Sequence, residues 1–88
     1  MKARILRGPD AKLHAAGVAF ARERMVGLPT EEACMLLYRD VQHLIQSAVA
    51  SGATPTAAQV AERVYAKAAF AEWRRIRAAM GTQPWGHA

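Results

Sequence analysis

The sequence is short of most things that narrow a function. It has one cysteine, Cys34, so no internal disulfide can form, and a lone thiol suits a reducing compartment. It has no apolar run approaching the length of a membrane span. Its N-terminus, Met-Lys-Ala-Arg-Ile-Leu-Arg-Gly, is basic without an apolar stretch behind it, so no signal peptide is expected and a cytoplasmic location follows. The three histidines, His14, His43 and His87, are far apart and share no ligand spacing with Cys34 or a carboxylate, which argues against a metal site. No acid–base or nucleophile constellation appears, and no cofactor motif, so the expectation is a non-enzymatic protein. No internal repeat and no linker divides the 88 residues, which read as one domain.

Large apolar side chains are also scarce. Half the chain counts as hydrophobic, but 20 residues are Ala, which leaves a thin supply of bulky groups for a core. A chain this small buries only about 60–65% of its unfolded surface. Thin cores of this kind gain stability from a partner or a second copy, so a homodimer is among the expected states.

What is present is a strong helical signal. The longest stretch runs from Thr54 to Gly81. Thr54 followed by Pro55 fits a cap and a first helical position. Thr56 with Gln59 offers an alternative capping box. Gly81 supplies a stop. This predicts a helix near 56–80. Gly8-Pro9-Asp10 opens an earlier one near 11–26, with Asp10 as its cap. Its apolar side joins Leu13, Ala16, Gly17, Phe20 and Ala21, with Val18 and Met25 beside them. Gly17 costs about 1 kcal/mol of propensity against Ala, which points to a close helix crossing at that position. Gly27-Leu28-Pro29-Thr30 breaks the pattern, and a second helix is expected near 31–51, capped by Thr30. Cys34, Leu37, Tyr38, Val41, Leu44, Ile45 and Ala48 share its apolar face, while Met35 and Leu36 lie off the main stripe. The fold class is therefore all-α: a small three-helix bundle with a basic N-terminal arm and a short irregular C-terminal tail. Leu37, Val41, Leu44, Ile45, Val60, Val64 and Ile76 are expected in its core, and Cys34 is expected to be an inert core thiol. The Pro84-Trp85 tail is expected to tuck onto the bundle.

Charge is the remaining clue. Twelve Lys and Arg against seven Asp and Glu leave +5, and the excess is uneven. Lys2, Arg4 and Arg7 make the N-terminal arm +3. The last helix, with Arg63, Lys67, Arg74, Arg75 and Arg77 against Glu62 and Glu72, is also +3, while residues 31–51 are −2. At about 100° per residue, Thr56, Gln59, Arg63, Lys67, Phe70, Arg74 and Arg77 fall in one sector of the last helix, with Trp73 at the border of its apolar edge. That sector contains no acid. Arg and Lys there suit phosphates, and Gln or Thr near a helix N-terminus can reach base edges. Helices 2 and 3 meet at a short Gly turn, as in a helix-turn-helix, with helix 3 in the recognition position. A charged helical face is by default only a solvated one. The functional expectation is a small binding protein that contacts nucleic acid or a nucleoprotein complex through this face. The alternative is a protein-interaction module that offers Phe70, Trp73 and neighbouring Arg residues to an acidic protein surface.

Overall fold

The computed structural model describes residues 9–80, and the expected basic arm (Lys2, Arg4, Arg7), the Gly81 stop and the Pro84-Trp85 tail lie outside them. Three α-helices account for most of what is described: α1 (Pro9–Phe20), α2 (Thr30–Ala50) and α3 (Pro55–Ala79). The bundle expected from periodicity is the fold observed, and the ends of α2 and α3 agree within one residue, whereas the α-helical part of α1 stops at Phe20, short of the expected end at 26.

The connections follow from local chemistry. α1 runs into one π-helical turn, Ala21–Met25, whose i→i+5 bonds widen the helix and which periodicity alone did not announce. Val26 is then extended and Gly27 takes φ +86°, with the Leu28 N–H donating to the Met25 carbonyl at 3.2 Å. That is a type II turn, whose third position requires a positive φ. α2 closes on Gly52, at φ +102°. The Ala53 N–H donates to the Ala48 carbonyl and the Gly52 N–H to that of Val49, the paired bonds of a Schellman ending. α3 starts on Thr54, whose hydroxyl accepts from the Ala57 N–H at 3.1 Å, with Pro55 behind it. Thr54 is thus the cap, and the Thr56–Gln59 box is not used. Thr30 is not a cap either: Pro29 holds that position and makes no side-chain cap bond. Asp10 lies inside the first turn of α1 and not ahead of it.

α3 is the element on which the others pack. α1 lies along it, α2 lies along it, and α1 and α2 make no close backbone contact with each other. Gly17 permits the first of these packings. A Cβ at Gly17 would collide with the Tyr65 carbonyl oxygen and stand 3.1 Å from the Ala68 Cβ. The core then fills with Ala21, Met25, Ala33, Leu37, Val41, Tyr65, Ala69 and Trp73. Leu44, Ile45 and Ile76 are half-buried against it. Tyr65 donates its hydroxyl to the Asp40 carboxylate, a link between α3 and α2. Burial, and then that carboxylate, push the phenol well above its usual pKa.

Several expected core positions lie elsewhere. Val60 is 45% exposed and Val64 only half-buried, because the buried side of α3 is centred on Tyr65, Ala69 and Trp73 and not on the Val60–Val64 edge. Cys34 and Tyr38 are exposed. Among the described residues no element covers that part of α2. Trp73 is in the core and not at its border, with 2% of its surface exposed.

Candidate nucleic-acid interface on α3

The expected sector of α3 lies opposite its buried side. Thr56, Gln59, Arg63, Lys67, Arg74 and Arg77 are all exposed. The reason is rotational. Tyr65, Ala69, Glu72 and Ile76 recur every three or four residues and face inward, so positions about half a turn away face solvent. Arg63 to Arg74 spans eleven residues, about 16 Å of helix axis.

These cations differ in how far they are already engaged. Arg63 and Lys67 make no hydrogen bond or ion pair among the described residues. Arg74 places its guanidinium 5.8 Å from the centre of the Phe70 ring, within cation–π range. Arg77 is held twice: its guanidinium lies 5.2 Å from the centre of a Trp73 ring and donates to the Thr30 hydroxyl at 2.7 Å. Phe70, half-buried, stacks at 5.5 Å on Trp73 with the ring planes 35° apart. Thr30, Phe70, Trp73, Arg74, Arg77 and Ala78 line an open groove of about 490 Å³ between the start of α2 and the end of α3. The Phe70 ring is therefore no isolated surface aromatic. It is the outer layer of a stack whose inner layer is Trp73.

Both acids of α3 are kept off this face. Glu62 is half-buried on the inner side. Glu72 is buried and accepts from Arg22 Nε at 2.8 Å, from Arg75 Nε at 2.9 Å and from Arg75 Nη2 at 2.8 Å. Hydrogen bonds from Arg75 and then Arg22 hold its pKa down to about 2. Arg75 is thereby paired within the fold, and it lies outside the outer sector. Sequence periodicity put Glu72 outside the cationic sector without assigning it a partner. The i,i+3 spacing to Arg75 was a visible signal, whereas Arg22 comes from the π turn fifty residues away.

Among the described residues no helix is long and apolar enough to cross a membrane, and no group of three His, Cys, Asp or Glu is placed to hold a metal ion. No protein-family model, no curated protein and no solved structure matches the chain.

Proposed function

We propose that this is a small non-enzymatic protein that binds nucleic acid, alone or within a nucleoprotein complex, by laying the outer face of α3 along the phosphate backbone. The observation that supports this most is the line of Arg63, Lys67 and Arg74, exposed on one side of a rigid helix with no carboxylate beside it. Carboxylates elsewhere on α3 are turned inward, and the one closest to the Arg-rich end is consumed by Arg22 and Arg75. Such a face meets a polyanion without losing internal ion pairs. Phosphate contacts of this kind fix position and orientation, and Thr56 and Gln59, exposed in the first turns of α3, are the side chains available to read bases.

The test is binding of labelled duplex and single-stranded DNA and RNA, followed by polarisation at two salt concentrations. Affinity falls steeply with salt, because each neutralised phosphate releases counterions. Arg63→Ala, Lys67→Ala and Arg74→Ala each weaken binding and each lower the salt slope by about one. No salt-dependent binding at micromolar protein overturns the proposal. A panel in which Phe70→Ala dominates and salt matters little assigns the face to a protein partner instead.

A further inference from the structure

A second surface lies on α2, remote in function from the cationic face and independent of it. Leu28, Glu32, Met35, Leu36 and Arg39 line an open groove of about 280 Å³. Met35 is 62% exposed, although it is a large apolar side chain in the middle of a helix. Leu28 and Leu36 are half-buried beneath it. Glu32 and Arg39 are exposed at the two ends and make no ion pair with each other or with any other described residue. They are seven residues apart, two helical turns and about 10 Å, on the same side of α2.

We propose that this face pairs with the same face of a second copy, the two α2 helices running antiparallel about a two-fold axis that passes between Met35 and Leu36. The charge pattern specifies the arrangement. Under that one operation Glu32 meets Arg39 of the other copy and Arg39 meets its Glu32, which is the self-complementarity an isologous interface demands. Met35 and Leu36 exchange places across the axis, so the exposed thioether is covered by an apolar neighbour. A parallel pairing would instead set Glu32 against Glu32 and Arg39 against Arg39, and like charges facing each other exclude it. The apolar centre is small beside a standard interface of about 800 Å² per partner, so association belongs in the micromolar range.

Sedimentation equilibrium on the full chain, from a few micromolar to about half a millimolar, tests this. Dimer is expected at the upper concentrations. Glu32→Arg and Arg39→Glu should each weaken association at least about tenfold, since each places like charges together, and the double variant carrying both should restore it. Met35→Lys should give a monomer with an unchanged far-ultraviolet circular dichroism spectrum, because the position is exposed. A strict monomer throughout the range overturns the proposal. So does a dimer indifferent to Met35→Lys, or one that the double charge reversal fails to restore. These outcomes are read without nucleic acid, so they stand apart from the fate of the α3 reading.

Discussion

Replacing Gly17 by Ala sets two effects of opposite sign against each other. In an exposed helix the change is worth about 1 kcal/mol of added stability, because Gly is the poorer helix former. At Gly17 the new methyl group has nowhere to go. Its nearest neighbour is the Tyr65 carbonyl oxygen, and the next are the Ala68 Cβ at 3.1 Å and the Ala69 nitrogen at 3.2 Å. Two of the three are backbone atoms of α3, which cannot rotate aside as a flexible side chain would. Overpacking of this sort costs about 1–3 kcal/mol and sometimes more. With backbone on the receiving side the upper part of that range applies, so the net loss should be about 1–2 kcal/mol after the propensity gain. For a domain of this size each kcal/mol moves the melting temperature by roughly 4–8 °C. Thermal melts followed by helical ellipticity should therefore show Gly17→Ala melting clearly below the parent. The exposed Ala15→Gly variant, on the same helix, serves as the propensity control at about 1 kcal/mol. A Gly17→Ala protein that melts above the parent would refute the close approach of α1 to α3.

Two further predictions concern the core and its ion pair. Leu37→Ala should lose about 2–5 kcal/mol in urea denaturation, the cost of emptying a core site, whereas Val60→Ala should change stability by less than about 0.5 kcal/mol. Equal losses at the two positions would place the buried face of α3 where periodicity alone put it. Glu72 supplies a pH dependence of definite sign. Its pKa is lowered in the fold from an ordinary 4.5 to about 2, so its contribution is present above pH 4.5 and is lost as pH falls through 2. Glu72→Gln should flatten that acid limb of the stability curve, and a limb of unchanged steepness would remove the Arg22–Glu72–Arg75 cluster from the account.

The punctuation of the chain was legible because each boundary has a local cause. Thr54-Pro55, Gly27 and Gly52 act within a few residues of themselves, and a sequence displays such neighbours directly. The crossing at Gly17 was legible for a related reason: a glycine in mid-helix needs an explanation, and close packing is the usual one. The cationic sector was legible because charges mark the outside of a helix plainly. The inner face of α3 was harder. Ala fills so much of it that the apolar pattern is nearly as good on the Val60–Val64 edge as on the Tyr65–Ala69–Trp73 side. The choice between them depends on which large rings fit the space left by α1 and α2, and on Arg22 arriving to pair with Glu72. Both are tertiary facts. Cys34 and Tyr38 failed for the same reason: an apolar stripe on α2 announces that something could cover it, and among the described residues no element does. The π turn at Ala21–Met25 has no distinctive composition, and periodicity could not have found it.

The arrangement of α1 and α2 on α3, with no close backbone contact between themselves, bears on how the chain comes to be folded. α1 and α2 are made first, and most of the packing of each is with α3, which follows. The turn between α2 and α3 is short, so that pair can close locally. The contacts that hold α1 do not close locally: Arg22 finds Glu72 across fifty residues of chain. Closing a loop of that length costs entropy before any contact is gained, so the docking of α1 should be the late, rate-setting event, even in a protein made of helices. Until it happens, the faces later occupied by Ala21 and Met25 stand open. The order in which the helices are synthesised thus leaves the newly made chain exposed longest at its own first helix.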